Sequence, residues 1–334
     1  MLTLVIFIIF IALVFDFLNG FHDSANSIAT IVSTRVLTPR IAVMWAAAFN
    51  LIAAFMFDVH IAKTIGKGLI ELTAVNEYVI MSGLLGAIVW NLITWYYGIP
   101  SSSSHALIGG YAGAAVANTG LSCIIGSGWT KTLIFIVVAP VMGMLMGFIL
   151  MFLMIWIFHK RSATTVNLWF RKLQLISAAA YSLGHGTNDA QKTMGIITTL
   201  LVTAGVLKSF EVPMWVILSS HFAIAMGTLF GGWRIVKTMG QKITKLTPAM
   251  GFAAESAGAI TLLVTAFSGI AVSTTHTISG AIMGVGATKR ASAVRWGLAG
   301  NIVIAWILTI PASALVGAVS YWLVNGIHYL AGGQ

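Results

Sequence analysis

Long apolar runs follow one another along almost the whole chain. Crossing a bilayer as a helix takes about 20 apolar residues. Lipid offers no partner to an unpaired backbone group, so helix is the expected conformation. The pattern predicts an all-α polytopic transmembrane protein with about 10–12 membrane segments, which we place at 2–36, 41–58, 78–97, 99–118, 132–158, 175–203, 213–235, 248–268, 270–288 and 293–325. The segments at 99–118 and 270–288 are short and interrupted by Gly, Pro and Ser, so they could be broken helices or re-entrant hairpins.

The composition supports a membrane location. Hydrophobic residues make up 58% of the chain and charged residues 8%, whereas a soluble domain carries about 25% charged residues. No Lys or Arg precedes Arg35, so the first run lacks the basic start of a secretory signal and is interpreted as a retained span. The single cysteine, Cys123, excludes an internal disulfide framework.

Two polar motifs occur twice, in the same order and at nearly the same spacing. Residues 20–27 align with 186–193 at an offset of 166, and residues 98–105 align with 269–276 at an offset of 171. These matches predict two related membrane repeats, which we place at 1–158 and 175–334 with a cytoplasmic connecting loop at 159–174. Each repeat crosses the membrane a net five times in our assignment, so the second is inverted relative to the first.

The basic residues, which give a net charge of +10, fit this topology. With both termini outside, the predicted outer loops hold Lys63, Lys67, Lys131 and Lys208, while Lys192 lies in the membrane. Such an imbalance follows the positive-inside rule. Short basic clusters between apolar runs also argue against nucleic-acid binding. The predicted inner loops hold Arg35, Arg40, Lys160, Arg161, Arg171, Lys172, Arg234, Lys237, Lys242, Lys245, Lys289, Arg290 and Arg295.

Asp23 and Asp189 occupy corresponding positions in the two repeats. A carboxylate inside a membrane is costly unless it is paired or hydrated, so it commonly marks a transport site. Nearby glycines predict unwound backbone there, whose carbonyls could help hold a cation. Asp16 also lies within a span, and its role stays open between structural and functional. The candidate cation-coupling residues are His22, Asp23, Asn26, Asn188, Asp189 and Glu255, with Thr193 and Asn91 as further candidates.

The second pair of motifs is rich in hydroxyl side chains and precedes apolar helical runs. This is the composition of helix N-caps, and free N–H groups at a helix N-terminus bind anions such as phosphate. Plain capping or packing of small residues is the alternative. Lys192 could pair with Asp189 or contact the anion. His105 and His276 could bind the anion, carry a proton or simply pack. The candidate anion-binding residues are Ser101, Ser102, Ser103, Ser104, Ser273, Thr274, Thr275 and Lys192.

Anion donors and carboxylates in one site predict symport of an anion with a cation, because each ion then raises the affinity for the other. No zinc-ligand spacing, P-loop or nucleophile elbow is present, so we expect neither an enzyme nor a cofactor. Three alternatives stay open. They are transport of another oxyanion such as sulfate, a cation channel or exchanger, and a membrane enzyme acting on phosphorylated lipids.

The duplicated signature at 20–27 and 186–195, the motifs at 100–110 and 272–276 and the late segment 294–311 resemble the inorganic phosphate transporter (PiT) family. The resemblance covers nearly the whole chain. It implies a dimeric inverted-repeat transporter carrying phosphate with a coupling cation. By motif match, it implies cation or substrate contacts at Asp23, Asn26, Asn188 and Asp189, and phosphate contacts at Ser102, Ser103, Ser104, Thr274 and Thr275.

His22 stands where the sodium-coupled branch of that family generally has Asn. In this it resembles the bacterial low-affinity, proton-coupled branch, whose implied substrates include neutral complexes of phosphate with a divalent metal. The second repeat has the usual asparagine, Asn188, immediately before its aspartate, so sodium coupling stays an alternative. We therefore expect a homodimer in the bacterial cytoplasmic membrane that imports inorganic phosphate, with protons as the coupling cation.

Overall fold

The computed structural model describes residues 2–56 and 58–330, so the two ends whose location we predicted, Met1 and 331–334, lie outside the described residues. Within those ranges the chain forms twelve α-helices. The first six are α1 (Leu2–Ser33), α2 (Pro39–Ile52), α3 (His60–Lys67), α4 (Glu77–Tyr97), α5 (Ser103–Thr119) and α6 (Gly126–Phe158). The others are α7 (Ala163–Thr203), α8 (Met214–Phe230), α9 (Trp233–Lys237), α10 (Pro248–Phe267), α11 (Thr274–Ala287) and α12 (Trp296–Leu330).

The helices confirm an all-α polytopic membrane protein. Among the described residues, five helices are long and apolar enough to cross a membrane: α1, α4, α6, α10 and α12. The number rises to seven if α2 with α3, and α8 with α9, each form one bent span. The axis bends by 62° between α8 and the turns that follow it, where a π-helical turn, Thr238–Lys242, continues α9.

The order and lengths of the helices in α1–α6 parallel those in α7–α12. Helices α5 and α11 each pack against the other half, because α5 lies against α12 and α11 lies against α6. This exchange of packing partners is what a duplicated architecture would give. The inverted orientation of the halves and their boundaries at 158 and 175 stay predictions.

Two parts of the segment prediction were wrong. The connecting loop at 159–174 is mostly helical, because α7 already begins at Ala163, where the Ser162 side chain accepts a hydrogen bond from the Thr165 amide at 3.2 Å. Helix α3 and the turns after α8 were also missed. Each is too short to give an apolar run that could span a membrane. Each would form a bent span together with the helix before it.

The backbone at the two aspartates is helical, not unwound as predicted. Asp23 lies inside α1 and Asp189 inside α7. The glycines beside them serve close packing instead. A Cβ atom on Gly20 would collide with the backbone of Ile224 in α8, and one on Gly186 would meet the backbone of Asn50 in α2. Glycine therefore lets neighbouring helices approach each other at the level of the aspartates.

The backbone breaks occur instead before α5 and α11. Gly98 (φ 66°) ends α4 and Gly269 (φ 63°) ends α10, a left-handed conformation that favours glycine. The segments that follow lead into α5 and α11. The first starts at Gly98, whose carbonyl accepts from the Thr238 hydroxyl at 3.0 Å, and ends where Asn118 donates to the carbonyl of Ala74 at 3.0 Å. These partners lie in loops predicted on opposite sides of the membrane.

The crossing of α1 and α8 gives a first testable prediction. Gly227 in α8 leaves no room for a Cβ beside the Phe17 backbone, whereas Gly300 in α12 has open space. We expect Gly227→Val to force the helices apart and to lower the free energy of unfolding by about 1–3 kcal/mol, the usual cost of overpacking. Thermal unfolding in detergent measures the effect, with Gly300→Val as the matched control. Equal melting temperatures for the two variants would contradict it.

Candidate functional site

The N-termini of α5 and α11 meet in the interior of the protein. Each is capped by a serine, because Ser102 accepts a hydrogen bond from the amide of His105 and Ser273 accepts one from the amide of His276, both at 3.2 Å. Capping a helix start in this way holds the next hydroxyl residues in a fixed direction. Those next residues are Ser103 and Ser104 in α5 and Thr274 and Thr275 in α11, all buried.

These four hydroxyls contact the two aspartates in a reciprocal pattern. Ser103 donates to Asp23 Oδ1 at 3.3 Å, and Thr275 donates to Asp23 Oδ2 at 3.4 Å. Thr274 donates to Asp189 Oδ2 at 2.9 Å, and Ser104 donates to Asp189 Oδ1 at 3.5 Å. Each carboxylate thus accepts one hydrogen bond from a hydroxyl of α5 and one from a hydroxyl of α11. Exchanging aligned residues of the repeats converts one set of contacts into the other.

Each aspartate also has a nitrogen base beside it. His22 Nδ1 lies 2.7 Å from Asp23 Oδ1, and its Nε2 lies 3.1 Å from the hydroxyl of Thr94 in α4. Lys192 Nζ lies 2.5 Å from Asp189 Oδ1 and 2.8 Å from the carbonyl of Val272. Lys192 therefore pairs with Asp189. A buried carboxylate tolerates its desolvation only with such compensation.

The side-chain amides of Asn26 and Asn188 donate hydrogen bonds to different parts of the structure. Asn26 donates to the hydroxyls of Thr275 at 2.9 Å and Thr274 at 3.2 Å, so it joins the site. Asn188 donates to the carbonyls of Gly184 at 2.9 Å and Leu262 at 3.0 Å. Its amide nitrogen is therefore bonded to helix carbonyls rather than to the aspartates.

His185 belongs to this cluster, although it is not among the candidate residues chosen from the sequence. Its Nε2 lies 3.3 Å from Asp189 Oδ2, one helical turn away in α7. One ligand atom each from Asp23, His185 and Asp189 lie within 4.8 Å of one another, close enough to hold one cation. The spacing of four residues between His185 and Asp189 was the available signal. What the sequence lacked was the proximity of Asp23.

Glu255 lies apart from the aspartates, in a polar network of its own. Its Oε1 accepts hydrogen bonds from Thr30 at 2.6 Å and from Gln174 at 2.9 Å, and its Oε2 accepts one from Ser177 at 2.5 Å. Thr30 is seven residues from Asp23, about 10 Å along an α-helix. None of these hydrogen-bond partners lies in α4, the helix of Asn91, and the assignment of Glu255 to cation coupling stays a prediction.

The remaining candidates surround the site. The His105 ring packs edge to face with that of His276 at 4.7 Å, and His276 stacks on Trp306 at 4.0 Å. Both histidines are therefore packed among rings behind the hydroxyl residues. The others are buried: Asn91, Ser101, Thr193 and Asp16, the last lying next to Thr193 and Asn19 without a hydrogen bond of normal geometry.

In chemical terms, the site combines oxygen donors for a cation with hydroxyl and helix N-terminal donors for an anion. Hydroxyls can turn to donate or accept, so the same four residues could face either ion. The contacting side chains are buried within the protein, at most 3% exposed. An ion can reach them only if the helices move.

Comparison with known proteins places these features in context. The sequence profile described as "Phosphate transporter family" matches residues 19–317. The chain is 58% identical to the "Probable low-affinity inorganic phosphate transporter" of Rhizobium meliloti, over 96% of this chain and 97% of that protein. The Bacillus subtilis protein of the same name is 46% identical, over 98% and 99%. A solved structure titled "The sodium-dependent phosphate transporter" matches with a TM-score of 0.89 and 27% identity, covering 97% of this chain and all of that one.

The Glu255 network yields a second prediction. Glu255→Gln keeps an acceptor for Thr30 and Gln174, and its amide can donate to Ser177, so we expect a melting temperature close to that of the parent protein. Glu255→Leu leaves the Thr30 and Gln174 donors buried without an acceptor and should cost ~1–3 kcal/mol of stability. Thermal unfolding in detergent compares the two. A Gln variant as unstable as the Leu variant would show that the charge, not hydrogen bonding, is required.

Proposed function

The chain belongs to the phosphate transporter family, and we propose that it imports inorganic phosphate together with a coupling cation, which we take to be the proton. The reciprocal contacts of Asp23 and Asp189 with the hydroxyls of α5 and α11 carry the proposal. They bring anion donors and buried carboxylates into one site. A carboxylate repels phosphate, so binding both ions together requires a cation to compensate the charge.

Phosphate is proposed to bind between the starts of α5 and α11. Ser103, Ser104, Thr274 and Thr275 offer hydroxyls there, and the first turns of two helices bring backbone N–H groups and the positive ends of two helix dipoles. A tetrahedral oxyanion accepts hydrogen bonds from several directions, as two facing helix ends would provide. Ser101, Ser102 and Ser273 support this arrangement from the residues just before each helix.

Asp23 with His22 is proposed as the proton-coupling pair. The groups facing the His22 ring are the Asp23 carboxylate and the Thr94 hydroxyl. Imidazole is the side chain that proteins most commonly use to take up and release protons. A proton here would remove negative charge next to the anion site. Sodium is the alternative, supported by the sodium-dependent structural neighbour and by the cluster of Asp23, His185 and Asp189. A divalent metal carried with phosphate would use the same oxygens.

The buried site supports a cycle of alternating access. In inverted-repeat transporters the two halves rock about a site near the middle of the membrane. The broken segments before α5 and α11, and the bend between α8 and α9, supply places where helix ends could shift. We further propose an inner-membrane location, both termini outside, and a homodimer. Cross-linking in membranes and labelling of engineered terminal cysteines, in a Cys123→Ser background, would test these.

Neutralising the aspartates gives the third prediction. We expect Asp23→Asn and Asp189→Asn each to reduce concentrative phosphate uptake to background in proteoliposomes, because the cation loses its charged ligand. Asp58→Asn is the matched control, since the side chain of Asp58 is 88% exposed. Retained melting temperatures would show that the variants are folded. Uptake at parental rates in both variants would refute the proposal.

Replacing His22 gives the fourth prediction. His22→Asn keeps a polar side chain but removes the imidazole that we propose as the proton carrier, so the dependence of uptake on external pH between about pH 5 and 8 should change. Initial uptake rates measured across that range, for His22→Asn and for the control His159→Asn at an exposed turn, test this. An unchanged pH profile in His22→Asn would exclude His22 from coupling.

Separately imposed gradients decide between the coupling cations. Radiolabelled phosphate is supplied to proteoliposomes under a proton gradient, a sodium gradient or neither, with and without a divalent metal and with excess sulfate as competitor. Accumulation under the proton gradient alone supports the proposal. Accumulation only with sodium overturns proton coupling. Displacement of phosphate by sulfate would favour the transport of another oxyanion.

A further inference from the structure

The two halves of the site differ in where they carry a basic residue. The repeat alignment pairs His22 with Asn188 and Asn26 with Lys192. At these two positions each half therefore has one asparagine and one basic residue, in exchanged order. Imidazole is a common carrier of protons in proteins, whereas the lysine ammonium is a compact cation on a flexible stem.

The ammonium of Lys192 sits among oxygen atoms of three kinds. Nζ lies 2.5 Å from a carboxylate oxygen of Asp189 and 2.8 Å from the Val272 carbonyl, and it contacts the hydroxyl of Ser104. We call this set of oxygens the Lys192 cage. Lys192 is among the largest fully buried side chains of the described residues. Carboxylate and backbone carbonyl oxygens in broken-helix transporters are ligands for a small monovalent cation.

The first half has the corresponding oxygens without a tethered ammonium. Their counterparts by the repeat alignment are the Asp23 carboxylate, the Thr275 hydroxyl and the Ser101 carbonyl. Thr275 already contacts Asp23 at 3.4 Å. Asn26, the counterpart of Lys192, instead donates its amide hydrogens to hydroxyls of α11.

We propose that Lys192 is a resident cation, whose ammonium occupies in the second half a cage that would otherwise take a mobile monovalent cation. The chain then exchanges a cation at one half of the site only, around Asp23, and keeps Asp189 compensated throughout the cycle. This inference rests on the proposed cation coupling and specifies which half performs it. It also assigns Lys192 to charge compensation rather than to direct capture of phosphate.

The variant Lys192→Asn tests this by restoring in the second half the residue of the first. Without the ammonium, the Asp189 carboxylate is left uncompensated and the cage is open. We expect the purified variant to melt below the parent in choline chloride, and sodium chloride at equal ionic strength to raise its melting temperature by several degrees. The control Lys131→Asn, at an exposed position, should respond to the change of salt as the parent does, and the shift in Lys192→Asn should be larger than in either.

Two further variants keep the test decisive. Lys192→Met has a side chain of similar length without a cation ligand, so it fills the cage and should be destabilised in both salts alike. Lys192→Gln replaces the Asn variant if that protein does not fold, since its amide oxygen can also face a sodium ion. Sodium stabilisation of the amide variants but not of the Met variant supports the proposal.

Two results would overturn it. Folded Lys192→Asn and Lys192→Gln that melt identically in sodium and choline would show that the cage does not take a cation. Loss of phosphate binding in both salts, measured by isothermal titration with inorganic phosphate and without any sodium effect, would make Lys192 a direct phosphate ligand. The melting experiment uses neither phosphate nor a gradient. If the proposed transport fails in proteoliposomes, the melting experiment can therefore still be interpreted by itself.

Discussion

The rest of the structure depends on compensating two carboxylates inside a membrane protein. Asp23 and Asp189 are buried together, and in a medium with little water neither could stay charged unaided. Their partners come from four separate helices: hydroxyls from α5 and α11 and a nitrogen base within each of α1 and α7. Arranging these partners at one depth is the geometric problem that the fold solves.

Small residues and helix breaks together solve it. Glycines in α1, α7 and α8 bring helix backbones close enough for the two aspartate helices to share neighbours with the short helices. Left-handed glycines end α4 and α10, so the following chain runs extended into the interior before a new helix begins. A continuous helix at 99–118 would expose no N–H groups there. The break is what creates two helix N-termini facing the carboxylates.

The sequence was sufficient for those features that depend on local pattern. Apolar runs predicted the membrane class, and the paired polar motifs predicted that Asp23 and Asp189 would meet the hydroxyls of α5 and α11. Features that depend on three-dimensional packing were not predictable. A glycine near Asp23 is compatible both with a helix break and with close packing of two helices. The position of the Ile224 backbone next to Gly20 shows that close packing is the reason. Nothing in the sequence indicated that Thr30, Gln174 and Ser177 would surround the carboxylate of Glu255.

The asymmetry between the halves follows from the same constraint. A site with identical halves would need two mobile cations, or would leave one carboxylate uncompensated whenever a cation departs. Placing a lysine next to one aspartate and a histidine next to the other divides the tasks. One charge is compensated permanently, which holds the site together while it is empty. In the proposed cycle, the charge of Asp23 is instead compensated by a cation that binds and leaves with phosphate.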